Sequence, residues 1–98
     1  MPLESIIQAI INREKVDFTF DSEKVCAVDP YAVGEPKKGG GFGLLVKLNH
    51  GWRTFMIIGI RDFRLSGRKF EESVKGAVIR TRKWYSVREI GLPKSADT

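Results

Sequence analysis

Aromatic and cationic side chains are interleaved along residues 51–65, GWRTFMIIGIRDFRL. The pattern predicts two strands with a break at Gly59, because an isolated glycine within a strand pattern often marks a bend or bulge. A guanidinium offers a planar donor fork for phosphate, and an aromatic ring offers a face for stacking. The stretch therefore predicts a surface that binds an anionic or planar ligand, without identifying it. Its aromatic residues are Trp52, Phe55 and Phe63, and its arginines are Arg53, Arg61 and Arg64.

The last third of the chain adds a second set of candidate binding residues: Arg80, Arg82, Lys83 and Trp84. Residues 61–88 carry nine basic and three acidic side chains, a net charge of +6, whereas residues 1–35 carry three basic and seven acidic ones, a net charge of −4. Such a positive field favours phosphate-bearing partners. We expect an exposed Trp84 or Tyr85 to be a better stacking residue than Trp52 or Phe55, which we assign to the core. The alternatives are that Trp84 packs down as a C-terminal lid and that the cations form a solvated face.

The sequence contains no arrangement of residues typical of a catalytic or metal site. Its one histidine, His50, lies in a predicted turn, and its one cysteine, Cys26, is expected to be a small buried group. Metal sites and acid–base catalysis both require several positioned partners. We therefore expect a protein that is not an enzyme and that uses no cofactor or metal.

The elements that would position the candidate residues begin with an amphipathic helix, which is expected to end near residues 13–15. A short isolated helix is marginal in water, so its apolar face must pack on the rest of the domain. Apolar residues recur at the spacing of one helix face at Leu3, Ile6, Ile7, Ile10 and Ile11.

Five short strands follow, predicted from alternating apolar residues and from the turn residues between them. Asp29-Pro30 is expected to end the second strand, because proline cannot donate a hydrogen bond to a neighbouring strand. Consecutive antiparallel strands with a bend favour a closed barrel, which hides their edges. The predicted fold is mainly β: a small Sm-like or SH3-like antiparallel five-stranded barrel with an N-terminal amphipathic helix and a C-terminal extension. The predicted strands cover residues 16–20, 25–28, 42–48, 52–58 and 61–66.

We divide the chain into a helix-plus-barrel domain, residues 1–72, and a basic C-terminal extension, residues 73–98, which we expect to be disordered at its end. Residues 77–85, AVIRTRKWY, are β-prone and could pair with a barrel edge. No apolar run approaches the ~20 residues of a membrane span, and the N-terminus does not resemble a signal peptide. We therefore expect a cytoplasmic protein without a membrane partner.

The order of these residues resembles that of the WYL family, regulatory domains built on a small Sm-like or SH3-like barrel. The resemblance covers about residues 6–70. The name-giving Trp-Tyr-Leu strand is here Leu44-Leu45-Val46, and Gly59 replaces an arginine that members often carry, so the chain is most similar to a divergent, WYL-like branch. The matching positions are residues 16–20, Asp29-Pro30-Tyr31, Gly34, Gly51-Trp52-Arg53-Thr54-Phe55, Ile60, Phe63 and Phe70.

The resemblance implies a regulatory sensor that binds a nucleotide-like ligand or single-stranded nucleic acid and acts in transcriptional regulation. Carried over by position, Tyr31 would supply a ring for stacking and Arg53 a guanidinium for phosphate. The alternatives are that Tyr31 packs inside the domain and that Arg53 is a surface arginine paired with a residue such as Asp29. Typical members also carry a DNA-binding helix-turn-helix, for which 98 residues leave no room. The resemblance therefore implies a DNA-binding partner chain or a longer protein.

A second function class competes with the sensor. A protein–protein interaction or oligomerisation module would use a barrel edge or the C-terminal segment and would not bind nucleic acid. In a homodimer of this kind, the acidic first third of one subunit would face the basic last third of the other. A salt-dependent dimer without affinity for nucleic acid would favour this second hypothesis.

Overall fold

The computed structural model describes residues 3–37, 41–48, 51–70, 79–82, 84 and 86–90. The fold is mainly β, as predicted, with an N-terminal helix and an antiparallel sheet. No helix in the described residues combines the length and the apolar character needed to cross a membrane. The elements are the helix α1, Leu3–Asn12, the strands β1, Glu14–Phe20, β2, Glu23–Glu35, β3, Gly43–Leu48, β4, Gly51–Met56, β5, Ile60–Lys69, and β6, Ser86–Ile90, and a 3-10 turn, Ile57–Gly59, between β4 and β5.

The helix α1 packs through the apolar face that its sequence predicts. Ile6, Ala9 and Ile10 are buried, and the helix lies against β1 and β2. It ends at Asn12, just before the predicted end, because Arg13 adopts a left-handed backbone with φ 53°. A left-handed residue after the last turn is a common way to end a helix. The backbone N–H of Arg13 donates to the carbonyl oxygen of Ile10 at 3.3 Å, and the chain then enters β1.

The sheet has the strand order β4-β3-β2-β1-β5. It must curve, because β1 and β4 are separated by two strands in this order and yet are in contact: the rings of Phe18 and Phe20 lie 5.0 Å and 5.1 Å from that of Phe55. However, β4 and β5 are not paired with each other among the described strands, so the prediction of a closed barrel is wrong. The 3-10 turn joins β4 to β5. Its Gly59 packs so closely on Phe20 that a Cβ would lie 2.6 Å from the ring, and the chain then continues along β1.

The second strand is longer than predicted, because β2 continues through Asp29 and Pro30. Along one edge of β2, the pairing with β1 ends at Val28 and the pairing with β6 begins at Ala32. Pro30 lies between these two segments, so on this edge its missing N–H deprives no strand of a hydrogen bond. The other edge of β2 pairs with β3 from Asp29 to Gly34. The expectation that Pro30 ends the strand is therefore wrong.

The described part of the C-terminal extension joins the same sheet. Residues 79–81 are helical, so the expectation of a strand there is wrong, and the strand that pairs with β2 is β6. β6 approaches β2 very closely at Gly34, where a Cβ would lie 2.3 Å from the backbone oxygen of Ser86. Glycine is therefore required at this position for β6 to pair as it does.

Candidate functional site

Trp52, near the start of β4, lies beside two cationic side chains. The β3–β4 register places Lys47 directly opposite Trp52. The Nζ of Lys47 lies 5.8 Å from the centroid of the Trp52 ring, and the guanidinium carbon of Arg80 lies 5.7 Å from it. Both distances are within the ~6 Å reach of a cation–π contact. The arrangement joins a large planar ring to two positive charges.

A small buried cluster supports the Trp52 ring from inside the domain. The ring centroid of Tyr31 lies 5.0 Å from that of Trp52 and 5.1 Å from that of Phe70. Tyr31 is 0% exposed, so the structure shows the packed alternative for this residue and not a ring that faces solvent. The buried members of the cluster are Tyr31, Ala32, Leu45 and Phe70, and its half-buried members are Trp52, Trp84 and Ile90.

A shallow cavity of about 230 Å³ lies beside the Trp52 ring, and we call it the Trp52 groove. Enclosed sites for small molecules usually measure about 300–1,000 Å³. A groove of this size therefore accommodates part of a ligand, such as one base or one phosphate. Its lining residues are Leu45, Trp52, Arg53, Thr54 and Arg80.

Arg53 lines the Trp52 groove and pairs with Glu23, a partner that the sequence does not predict. Its Nη1 lies 3.6 Å from Oε1 of Glu23, and its guanidinium carbon lies 4.4 Å from the centroid of the Phe55 ring. Asp29, the expected partner, instead accepts a 2.7 Å hydrogen bond from Nζ of Lys15. The side chains of Arg53 and Glu23 are 44% and 59% exposed. An exposed pair of this kind stabilises by only about 0–1 kcal/mol, so a phosphate can compete with Glu23 for Arg53.

The structure does not place Arg61 and Arg64 in the Trp52 groove. Both lie on β5, at the opposite end of the strand order from β4, and both are exposed. In β5–β1 pairing, Arg61 lies opposite Thr19 and Arg64 lies opposite Asp17. Arg64 lines a separate groove on that part of the sheet.

The C-terminal candidates divide into different environments. Arg80 and Arg82 are both exposed, and Arg80 reaches Trp52. The backbone N–H of Arg82 donates to the carbonyl oxygen of Ile79 at 3.4 Å. Trp84 is half-buried against the cluster around Tyr31, as the lid alternative predicted. Lys83 and Tyr85 lie outside the described residues, as does His50.

Two residues of the Trp52 groove region were missed or assigned differently from the sequence. The sequence pattern does not single out Lys47, and it predicts a core position for Trp52, which in the structure is half-buried and flanked by cations. The predicted turn at residues 49–51 would have placed Lys47 opposite Arg53. In the structure Gly51 belongs to β4 and pairs with Leu48, and this register places Lys47 opposite Trp52.

The expectation for Cys26 is wrong, because its side chain is exposed on β2. Its neighbour Val25 points inward, and alternation along a strand then turns Cys26 outward. No group of three or more histidine, cysteine, aspartate or glutamate side chains that could hold a metal ion occurs among the described residues.

The chain matches no protein-family model, no curated protein and no solved structure. The resemblance to the WYL family therefore stays a prediction.

Proposed function

We propose that this chain is a regulatory module that binds single-stranded nucleic acid through the Trp52 groove. The observation that carries the proposal is the Trp52 ring with Arg80 and Lys47 each within 6 Å of its centroid. Non-specific single-strand sites combine a ring on which bases stack with cations that bind the backbone. The Trp52 groove supplies both from one hairpin and one C-terminal residue.

The charge around the groove favours an anionic ligand. Arg53 and Arg80 line it and Lys47 lies beside it, and no acidic residue is among its described lining residues. When these cations neutralise the phosphates of a strand, the counterions condensed on the strand are released, and this release favours binding. A guanidinium can also stack on a base, so Arg80 and Trp52 can both contact bases.

The size of the groove favours a strand over a free nucleotide. At about 230 Å³ it covers only part of a nucleotide. A strand can contact the ring with one base and reach the neighbouring cations with adjacent phosphates. A free nucleotide lacks these adjacent phosphates, and we expect it to bind more weakly.

The Sm-like or SH3-like fold type and the regulatory role both rest on the resemblance to the WYL family. The helix, the five-strand order and the curvature support an Sm-like or SH3-like type. In that order the consecutive strands β4 and β5 occupy the two ends of an open sheet. A sensor of this class would pass its ligand state to a DNA-binding partner chain in transcriptional regulation.

The direct test is fluorescence anisotropy with a labelled thymidine strand of about 12 nucleotides, a length that covers one small-barrel site. We expect binding at low salt that weakens steeply between about 50 and 200 mM salt, because phosphate contacts release counterions. AMP and ATP serve as the free-nucleotide probes and are expected to compete poorly. If the strand fails to bind at low salt, or binds with no dependence on salt, the proposal is wrong.

Tryptophan fluorescence reports whether the strand binds at the proposed place. Trp52 and Trp84 are the two tryptophans, so the Trp84→Phe variant leaves Trp52 as the single emitter. A base stacked on Trp52 should quench this emission in proportion to bound strand. Saturable binding without quenching would place the strand elsewhere on the basic surface.

A second candidate function, a protein interaction or oligomerisation module, is favoured by a different observation. β4 and β5 end the strand order and each pairs with one neighbour among the described strands, and Ile58 in the turn between them is 91% exposed. Unpaired edges and exposed apolar side chains favour pairing with another chain. Light scattering across a salt series, together with the anisotropy assay, distinguishes the two functions. A dimer that does not bind the thymidine strand would favour the interaction or oligomerisation module.

A further inference from the structure

A second groove, about 350 Å³ in volume, lies across β5, β1 and β2. We call it the β1 groove, and it shares no lining residue with the Trp52 groove. Its volume is within the range of sites that bind small molecules. Its lining includes two carboxylates, two cations and two small polar side chains: Asp17, Asp62, Lys24, Arg64, Thr19 and Cys26.

The strand register brings these charges together from three strands. Arg64 of β5 lies opposite Asp17 of β1, and Lys24 of β2 lies opposite Thr19 of β1. Neighbouring strands are about 4.8 Å apart, so the backbones that carry Lys24 and Arg64 are separated by roughly 10 Å. The two cations therefore approach the groove from opposite sides, with the β1 side chains between them.

The carboxylates and the cations of the β1 groove share one cavity without forming direct ion pairs among the described residues. In the described part of the chain, neither Lys24 nor Arg64 forms an ion pair with Asp17 or Asp62. Elsewhere on β1 and β2 such a pair does form, between Lys15 and Asp29 at 2.7 Å. The cavity therefore contains charges of both signs that are hydrated and not paired with one another.

Asp17 is held in place by the backbone of the neighbouring strand. Its Oδ1 accepts a 2.7 Å hydrogen bond from the N–H of Ala27. The β1–β2 pairing shifts register between Val16 and Phe18, next to this contact. A carboxylate fixed in this way keeps a second oxygen available at a defined position in the groove.

We propose that the β1 groove binds a small zwitterion of the amino-acid class. The ammonium of the ligand lies at Asp17 and Asp62, and its carboxylate lies between Lys24 and Arg64. A simple anion would face two carboxylates and a simple cation would face two cationic groups, so each is opposed by like charge. A ligand with both charges satisfies both pairs. Because the four side chains are largely solvated, we expect an affinity of about millimolar.

The test is an NMR titration of the ¹⁵N-labelled full chain with L-alanine, with acetate and methylammonium as single-charge probes at equal ionic strength. We expect L-alanine to shift the amide signals of Thr19, Lys24 and Arg64 saturably. Acetate and methylammonium are expected to bind about tenfold more weakly, because each meets like charge in the groove. The proposal is overturned if L-alanine gives no saturable shifts, or if either single-charge probe binds as tightly as L-alanine.

Matched variants assign the binding to the two charge pairs. Asp62→Asn and Arg64→Gln should each weaken L-alanine binding about fivefold, because each removes one charge that the ligand contacts. Arg53→Gln, in the Trp52 groove, is the control and should leave L-alanine binding unchanged. Binding that survives both groove substitutions would contradict the proposal. Asp17 is left intact because it supports the Ala27 backbone. Binding of the thymidine strand is measured separately from binding of L-alanine. The proposal of a zwitterion site and the proposal of a nucleic-acid site can therefore be overturned independently.

Discussion

The guanidinium carbon of Arg80 lies 5.7 Å from the centroid of the Trp52 ring, although the two residues belong to distant parts of the chain. Trp52 comes from β4, and Arg80 comes from the basic C-terminal third. Lys47 completes the group from the strand opposite Trp52. The contact makes one C-terminal cation part of the candidate site, while Arg82, two residues further on, makes no cation–π contact with Trp52 in the described part of the chain.

Arg80→Gln should weaken binding of the thymidine strand about fivefold, because it removes a cation beside the ring on which a base stacks. It should also lower the slope of log affinity against log salt by about 0.7, the change expected for one lost phosphate contact on a single strand. Anisotropy titrations over a salt series measure both quantities. Arg82→Gln changes the net charge equally and is the matched control. Equal losses in the two variants would show that only the general positive field matters.

Glu23→Gln should strengthen strand binding roughly two- to fivefold, because Glu23 competes with phosphate for Arg53. The same anisotropy titration measures the change. Asp21→Asn is the control, since Asp21 is exposed in the adjacent turn and the substitution alters the net charge equally. Asparagine also tolerates the left-handed backbone of that residue, φ 48°. An effect as large in the control would trace the gain to net charge.

Gly34→Ala should destabilise the fold by about 1–3 kcal/mol, because overpacking at a close backbone contact forces strands apart. The new Cβ would lie 2.3 Å from the backbone oxygen of Ser86 and 2.7 Å from Cα of Val87. Urea unfolding measures the loss, and faster hydrogen exchange in β6 would localise it. Gly43→Ala is the control and should cost less, because the nearest atoms to its Cβ would be side-chain atoms of Thr54 and Pro36, at 2.9 Å and 3.0 Å, and not backbone atoms. Equal losses would contradict this account of β6.

Ala27→Gly should stabilise the fold by roughly 0.5 kcal/mol. Ala27 has a left-handed backbone, φ 55°, which costs an L-residue about 1–2 kcal/mol of folding free energy. Glycine avoids this cost, but its greater conformational freedom in the unfolded chain lowers the stability by about 0.4–1 kcal/mol. Ala32→Gly is the control on the same strand, where φ is not positive and the methyl group is buried, and it should destabilise. Urea unfolding of both variants checks the opposite signs.

Much of the fold could be predicted from the sequence because the signals are local. The spacing of Ile6 and Ile10 predicted the buried face of α1, and alternation around Phe18 predicted β1. The break at Gly59 was also predicted, and the structure shows a 3-10 turn there. Each of these depends on the period of one element and on residues a few positions apart.

The candidate site could be predicted only in part. Arg53 and Arg80 were identified, but their partners Glu23 and Trp52 were not, because contacts across strands depend on register and curvature. Pro30 was expected to end β2, yet its effect depends on which edge of the strand needs an N–H donor. The side-chain types along the chain do not carry that information.

The sequence by itself determined a β-rich chain with an amphipathic N-terminal helix and a basic C-terminal third, since periodicity and charge are properties of neighbouring residues. Only the tertiary structure decided that the sheet stays open between β4 and β5 and that two separate grooves form. The physical reason is that both outcomes depend on long-range packing. The close contact of Gly59 with Phe20, the register shifts beside Asp17 and the approach of Arg80 to Trp52 each join residues that are distant in sequence.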